Sequence, residues 1–441
     1  MRNHNIILLF TSLLLYCSCD SKQVLIINKP FYNNDLQEEV ANEVISLWLQ
    51  INCQEKTKYI NTPTVVSLES IVIPTVKSNQ QCYPIAYVVK LDNNGSALVK
   101  IQNGQPIVIA ITDTGCFDSN KFFNSDCLFE NKEEKILYNL LEECLFFNVC
   151  NNSSDKEEII RNNGESNSVW YTDTIVHPIV HTKWDQAYPF NMCMPYVPST
   201  AIGFGPLSGY RGRHAVGCVI TAAMQIMVAS EHPYSINANG QSYDLYPFKE
   251  VSDYNNYELF ICNTYDTLVP QYLQTKTQQL AYLLRYSNDF IGASYNPSGS
   301  TGASVLSVMN YMAYLDQQRY GNFDFHTKPQ GNLSGTPEVY PMINQGKPLI
   351  IEGFQYFPNY TIGHAWIIDG YLKQHLWDYD NELHTRKFVH FNWGWHGKYD
   401  GYYRNTAINQ RYIRDSVYDT NNALTTYVNL NFNVNTRYWT Y

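Results

Sequence analysis

The sequence lacks the features of several large classes of protein. Among its 441 residues, 30 Lys and Arg stand against 40 Asp and Glu, giving a net charge of −10 without a dense basic patch. A nucleic-acid partner is therefore not expected, since such partners require a concentrated positive surface. No His-Glu-x-x-His motif, phosphate-binding loop or Gly-x-Gly-x-x-Gly motif is present. His214 and Cys218 are four residues apart, but no second ligand pair accompanies them. The sequence thus predicts no metal site and no cofactor.

Residues 217–227 place a cysteine directly after a glycine, at the start of a predicted helix. The apolar residues follow the 3.6-residue period and predict one buried face: Val219, Ala222, Ala223, Ile226 and Met227. The partial positive charge of a helix N-terminus favours the thiolate form of cysteine, which is the attacking form. Cys218 is therefore a candidate nucleophile. The alternative is a small buried cysteine that packs at a helix start.

Cysteine catalysis also needs a base and a group that orients the base. Residues 363–370 predict a strand that carries His364. Residues 388–395 predict another strand, which reaches Asn392 beside Trp393. A lone histidine is more often structural than catalytic. A cysteine on a helix, a histidine on one strand and an asparagine on a neighbouring strand form the papain arrangement, and this order favours a catalytic interpretation.

At these residues the chain resembles the streptopain family of papain-like cysteine proteases. The resemblance covers roughly residues 175–410 and includes the segments 217–227, 363–370 and 392–401. Two further segments match: residues 184–191 resemble the segment with the family's oxyanion-hole glutamine, and residues 296–304 resemble its Gly- and Ser-rich loop. The resemblance implies an α+β fold, in which a small α+β propeptide domain precedes a papain-like cysteine protease catalytic domain.

The resemblance also implies a role for each matching residue. Cys218 would attack the scissile carbonyl, and His364 would accept its proton. Asn392 would orient the imidazole through its side-chain carbonyl, with Trp393 shielding that bond from water. Gln186 would donate to the oxyanion together with the Cys218 backbone N–H, although a surface amide is the alternative for this residue. The expected substrate-binding residues are Ser298, Ser300, Gly302 and Gly363.

Two features depart from the family pattern. His396 occupies a position that is usually glycine, and residues 372–387 form a long charged stretch. They leave open a catalytically silent, surface-binding lipoprotein with a protease-like fold. The combination of Cys218, His364, Asn392 and Gln186 favours a cysteine endopeptidase that hydrolyses extracytoplasmic proteins or peptides.

The first 19 residues predict a lipoprotein-type signal peptide. Arg2 supplies positive charge, and the apolar run at 6–15 is too short to span a membrane. Ser18 and Cys19 resemble a bacterial lipoprotein cleavage site, so Cys19 is the predicted lipidation site. Acyl chains on Cys19 would anchor the protein to a membrane. We expect an extracytoplasmic location, on the surface or periplasmic face of a bacterial membrane, with ordinary signal cleavage and secretion as the alternative.

Residues 20–150 predict a separate α+β block that resembles, more loosely, the family's propeptide. Helices are expected at 39–49 and 135–147, and strands at 85–91, 97–101 and 106–111, with a hairpin turn at 92–95. The block would act as an intramolecular inhibitor of the catalytic domain at 173–441. Residues 151–172 are polar at their start and predict an exposed linker with the maturation site. The alternative is a permanent N-terminal domain without an inhibitory role.

Overall fold

The computed structural model describes residues 35–52, 62–71, 85–102, 104–122, 133–147, 170–197, 210–251, 270–320, 324–327, 339–357, 360–377, 383–405, 417–418, 424–425 and 435–440. The predicted signal peptide with Cys19 and most of the predicted linker at 151–172 lie outside these residues. Within the described part of the chain, no helix combines the length and the apolar character that crossing a membrane requires.

The described elements are helices and strands in mixed order. The helices are α1 (Asp35–Asn52), α2 (Glu134–Phe147), α3 (Cys218–Ser230), α4 (Gln271–Phe290), α5 (Val305–Tyr320) and α6 (Val339–Asn344). The strands are β1 (Val65–Ile71), β2 (Ala86–Leu91), β3 (Ser96–Gln102), β4 (Gln105–Thr112), β5 (Tyr171–Val176), β6 (Ser235–Ala238), β7 (Gln241–Asp244), β8 (Ser294–Tyr295), β9 (Thr301–Gly302), β10 (Asp324–Thr327), β11 (Leu349–Phe357), β12 (Tyr360–Trp377), β13 (Leu383–Asn392), β14 (Gly401–Arg404), β15 (Val417–Tyr418), β16 (Leu424–Thr425) and β17 (Asn435–Thr440). The predicted α+β fold class is confirmed.

One antiparallel sheet joins the N-terminal and C-terminal parts of the chain. Its strand order is β1-β2-β3-β4-β14-β13-β12-β11-β17-β10, and β5 pairs with β12. The two parts meet where Tyr402 on β14 lies opposite Ile111 on β4. Gly401 allows this close approach, because a Cβ at that position would lie 2.2 Å from the Ile111 carbonyl oxygen. The block at 20–150, predicted as a separate unit, therefore shares a sheet with the predicted catalytic domain.

Helices of the N-terminal block cover both faces of the shared sheet. On one face, Leu137 of α2 belongs to the same buried cluster as Trp366 of β12. On the other face, Val44 of α1 is clustered with Phe388 of β13. Burial of such side chains contributes roughly 1.5–3 kcal/mol each, so the two parts of the chain stabilise one another. The predicted helices and the predicted hairpin of this block are confirmed, with Asn94 in the left-handed conformation (φ 65°) that such a turn favours.

Helix α3 differs from its prediction. The sequence predicts one buried face, whereas all residues from 219 to 228 are buried. The helix lies between the sheet and other helices: its side chains share a core with Ile367 on β12, Leu284 on α4 and Val308 on α5. A helix covered on opposite sides has no solvent-exposed face. Contacts with the sheet and with α4 and α5 therefore fix the position of α3.

The charged stretch contributes residues 372–377 to β12 and residues 383–387 to β13, and these two strands pair. Its buried Arg386 pairs with Glu43 on α1 at 2.5 Å and donates to Gln374 Oε1 at 2.6 Å. Gln374 in turn donates to Gln50 Oε1 on α1 at 2.6 Å. This departure from the family pattern therefore contacts the N-terminal block.

Candidate active site

Cys218 is the first residue of α3, at the edge of the buried helix. Gly217 before it has φ 96°, and a Cβ at Gly217 would lie 3.0 Å from the Thr301 carbonyl oxygen. The Cys218 side chain is half-buried. The thiol thus lies at the N-terminal, positive end of the α3 dipole.

His364 reaches the same point from β12. One of its ring nitrogens and the Cys218 sulfur lie within 4.8 Å of each other. The Nε2 atom is 2.9 Å from the Trp393 carbonyl oxygen. The ring stacks against Trp395 with centroids 4.7 Å apart, and its side chain is fully buried. The structure therefore brings together the two residues on which the predicted chemistry depends.

Asn392 is placed differently from its predicted role. Its Nδ2 donates to the Thr182 carbonyl at 2.9 Å, and its Oδ1 accepts from the Gly394 N–H at 3.0 Å and from Gln225 at 3.4 Å. The His364 nitrogen that Asn392 was expected to hold instead contacts the backbone carbonyl of Trp393. The reason is geometric: the Asn392 side chain is turned to fix the loop that carries this carbonyl. Orientation of the imidazole by the Asn392 side chain is thus not observed.

The ring and the backbone of Trp393 both lie next to His364. It is fully buried, and its ring lies near-parallel to the His364 ring with centroids 6.0 Å apart. Its backbone N–H donates to Asp400 Oδ1 at 2.8 Å, while its carbonyl faces His364 Nε2. Asp400 therefore supports the peptide unit that orients the imidazole.

Gln186 lies in a loop held from two sides. Its backbone carbonyl accepts from the Val216 N–H at 2.9 Å, close to Cys218, and its own N–H donates to Asp185 Oδ1 at 2.5 Å. Asp185 is also paired with His396 through its other carboxylate oxygen. His396, in the left-handed region at φ 59°, donates its N–H to the Trp184 carbonyl at 3.2 Å. His396, which stands where the family usually has glycine, thus contacts two residues of the segment that carries Gln186.

Glu133 is the site residue that sequence reasoning missed. It belongs to the predicted propeptide and lies in the turn before α2. Its Oε2 is 2.9 Å from His364 Nδ1 and accepts from Gln186 Nε2 at 2.8 Å. A glutamate before a helix gives no sequence signal for such a contact, because its partners follow it by 53 residues or more. The N-terminal block therefore places one carboxylate next to both the His364 imidazole and the Gln186 amide.

The charges of this pair reinforce one another. Burial alone would raise the pKa of Glu133, but the positive charge of His364 and the hydrogen bonds to the carboxylate lower this pKa below its ordinary value of 4.5. Burial alone would lower the pKa of His364, but the negative charge of Glu133 and the contact with Cys218 raise it to about 10. At neutral pH His364 is consequently held as a cation next to an anion.

A second charge cluster, in which His390 and Asp369 are buried, lies between the two parts of the chain. His390 on β13 contacts Asp369 at 2.6 Å and Asp113, from the N-terminal block, at 3.3 Å. Burial opposes the charge on His390, but these carboxylates raise its pKa to about 10. Burial raises the pKa of Asp400 to about 7, against the opposing effect of its hydrogen bond from Trp393. Asp400 also accepts a hydrogen bond from the Trp393 N–H, and the Trp393 carbonyl contacts His364.

The predicted substrate-binding residues occupy two places. Ser298 and Ser300 lie in a loop whose Gly299 carbonyl accepts from the Ala215 N–H at 2.8 Å, and Gly302, at the end of that loop, is exposed. Gly363 precedes His364 on β12, where a Cβ would lie 2.8 Å from the Phe354 ring. Both places are next to elements that carry Cys218 or His364.

Comparison with known proteins finds a family and several relatives that resemble this chain. Residues 184–403 match the model of the Peptidase C10 family. Over these residues the chain is similar to the Peptidase C10 family. A streptopain of Streptococcus pyogenes serotype M1 is 23% identical over 344 residues, covering 73% of this chain and 74% of the relative. A second Streptococcus pyogenes streptopain is 22% identical over 343 residues, with the same coverage of both chains. The predicted resemblance is confirmed.

Two solved structures with similarity to the chain come from Prevotella intermedia. A prointerpain A fragment is 17% identical, with a TM-score of 0.42, covering 84% of this chain and 98% of that chain. The active wild-type interpain A cysteine protease is 20% identical, with a TM-score of 0.35, covering 60% of this chain and 95% of that chain. The C10 match includes Gln186, Cys218 and His364, whereas Glu133 lies N-terminal to it.

Proposed function

We propose that this chain is the precursor of a cysteine endopeptidase whose N-terminal block keeps it latent. The convergence of Cys218, His364 and Gln186 on one carboxylate, Glu133, is the observation that carries the proposal. The first three residues supply a nucleophile, a base and an oxyanion donor. The carboxylate lies where a reacting peptide group would have to be.

In the proposed reaction, the Cys218 sulfur attacks the scissile carbonyl carbon and forms an acyl-enzyme. His364 carries the proton between the thiol and the leaving amine. Because Nε2 faces the Trp393 carbonyl, Nδ1 is the nitrogen left to exchange a proton with the sulfur. Water then attacks the acyl carbon and releases the second product, which regenerates the thiol.

The negative oxygen that develops on the substrate needs hydrogen-bond donors fixed in advance. We assign this role to the Gln186 amide and the Cys218 backbone N–H. In the precursor the Gln186 amide donates to Glu133 at 2.8 Å. An anionic oxygen at this position has the charge that the oxyanion would have, which supports the assignment.

Latency follows from the same contacts. Glu133 occupies the donor that the oxyanion needs and binds the imidazole that must exchange a proton. The shared sheet and cores hold the N-terminal block in place around this contact. Cleavage within residues 151–172 is the proposed maturation step, and residues 173–441 the mature enzyme.

We further propose an extracytoplasmic location, with Cys19 as the lipid attachment site and proteins or peptides as substrates. The loop with Ser298, Ser300 and Gly302 and the neighbouring Gly363 would bind the substrate backbone. Metabolic labelling with an alkyne fatty acid tests the anchor: label that persists in the Cys19→Ala protein would exclude acylation at this residue.

A thiol-reactive peptide probe tests the enzyme proposal. Mature protein is expected to be labelled at Cys218, with labelling abolished in Cys218→Ala and strongly slowed in His364→Ala. Cys193 provides the matched control, because it is a free, half-buried cysteine whose pKa burial raises. The Cys193→Ala protein should therefore label like wild type. Labelling of Cys218 that does not depend on His364 would contradict the proposed catalytic pair.

A further inference from the structure

The contact between the N-terminal block and the thiol brings together three chemically different metal ligands. One oxygen of Glu133, the sulfur of Cys218 and one ring nitrogen of His364 all lie within 4.8 Å of one another. They come from the turn before α2, the start of α3 and the middle of β12. We propose that these three residues bind a zinc ion in the precursor.

The ligand set suits zinc. Zinc binds thiolate sulfur at about 2.3 Å, and histidine nitrogen and carboxylate oxygen at about 2.0–2.2 Å, usually with tetrahedral geometry. Such distances place the ligand atoms roughly 3.5 Å apart. Nδ1 of His364 and Oε2 of Glu133 are 2.9 Å apart, and the three ligand atoms are no more than 4.8 Å apart. Small side-chain movements therefore suffice to form the site.

The surroundings orient two of the ligands. His364 Nε2 faces the Trp393 carbonyl at 2.9 Å, so the Nε2–H donor leaves Nδ1 as the metal-binding nitrogen. Nδ1 is buried and has no well-aligned hydrogen-bond partner, although Glu133 is 2.9 Å away. The Gln186 amide donates to the Glu133 carboxylate, which fixes the oxygen ligand. Metal-bound histidines and carboxylates typically have such supporting partners.

Binding exchanges protons for the metal. Zn²⁺ takes the place of the proton on His364 Nδ1, and of the thiol proton where the sulfur carries one. One or two protons are released to solvent, no electron is transferred, and water fills the fourth position. The site exists only while Glu133 is docked, so zinc binds the precursor more tightly than the mature form. The zinc site itself does not depend on catalysis. A contribution of zinc to keeping the precursor latent, in contrast, rests on the proposed function.

Cobalt(II) is the probe for the test, since a thiolate ligand gives it a charge-transfer band in the near ultraviolet. Full-length protein is titrated in the cold, and a gel before and after shows that it is intact. We expect one cobalt per chain, with the thiolate band present, and displacement by zinc. Glu133→Gln should weaken binding at least about tenfold, whereas Glu39→Gln, an exposed charge change on α1, should leave it unaltered.

Two outcomes would overturn the zinc site. One is absence of the thiolate band in intact full-length protein at saturating cobalt. The other is equal affinity in Glu133→Gln and in the Glu39→Gln control. Thermal unfolding gives a second readout, because zinc should raise the midpoint of the wild-type precursor but not that of Cys218→Ala. None of these measurements requires peptidase activity, so failure of the enzyme proposal and failure of the zinc site are distinguishable.

Discussion

Replacing Glu133 by glutamine is expected to accelerate maturation of the precursor about 30-fold. Glu133 contacts His364 Nδ1 at 2.9 Å and accepts from Gln186 at 2.8 Å. Glutamine has nearly the same shape and can still accept the hydrogen bond from Gln186. The substitution therefore removes the charge that faces the imidazole and changes little else.

The magnitude follows from the burial of the pair. Removing one partner of a buried charge pair at an interface costs about 2–5 kcal/mol. The lower end applies, because the Glu133 side chain is 23% exposed whereas the His364 side chain is fully buried. A loss of about 2 kcal/mol shifts the balance between docked and released N-terminal block by about 30-fold. If cleavage proceeds from the released form, its rate rises with that population.

The assay follows the loss of full-length protein on a gel and the appearance of peptidase activity. Wild type, Glu133→Gln and Glu39→Gln are compared; the last removes the same charge from an exposed position on α1. Glu39→Gln should mature like wild type. Equal maturation rates in all three proteins, each yielding active enzyme, would refute the view that the Glu133 charge maintains latency.

Three further predictions concern pH, Asn392 and His396. In the non-processing Cys218→Ala precursor, the Glu133–His364 pair should stabilise most at roughly pH 5–6. Its contribution is lost as pH rises above 6.5, since Glu133 raises the pKa of His364, and as pH falls below 4.5, since the pKa of Glu133 is lowered. Denaturant unfolding with and without Glu133→Gln measures this contribution, and a difference that grows above pH 7 would contradict it. Asn392→Ala should cost about 1–3 kcal/mol of unfolding free energy by leaving buried backbone groups unpaired. The pH profile of its kcat/KM should stay that of wild type; a shifted profile would return the orienting role to this side chain. His396→Gly, which restores the family residue, should lower kcat about tenfold with little change in KM, because Gln186 is held less firmly; an unchanged kcat would show that the Asp185 contact has no catalytic effect.

Motifs with a local pattern could be predicted from the sequence, including the two residues that meet in the site. Cys218 follows from a glycine before a helix, and His364 from a strand pattern within a family motif. The helices and hairpin of the N-terminal block could be predicted because their periodicity and turn residues are local. The complete burial of α3 could not, because it depends on which elements cover the helix from both sides.

The contacts of Asn392 and Glu133 that the sequence did not predict have a common physical cause. A side chain's identity does not determine which way it points, and Asn392 points towards the Thr182 carbonyl and the Gly394 N–H. The backbone carbonyl that faces His364 instead belongs to the next residue, and any residue type carries such a carbonyl. Glu133 meets His364 only through tertiary packing, since 231 positions separate them along the chain. Sequence reasoning identifies reactive groups better than it identifies the groups that restrain them.

The route by which the N-terminal block restrains the site limits how activation can occur. Glu133 reaches His364 through the turn before α2, and Asp113 reaches His390 at the end of β4. Glu133 and Asp113 both lie N-terminal to residues 151–172, so a cut in the proposed cleavage region removes neither contact. The block is also held by β4 pairing with β14 and by side chains clustered with Trp366 and Phe388. A single cut in that region therefore removes the covalent tether but leaves the inhibiting carboxylate docked. Activity then requires dissociation or further digestion of the N-terminal block. The strength of the Glu133–His364 pair helps to set how readily the block dissociates.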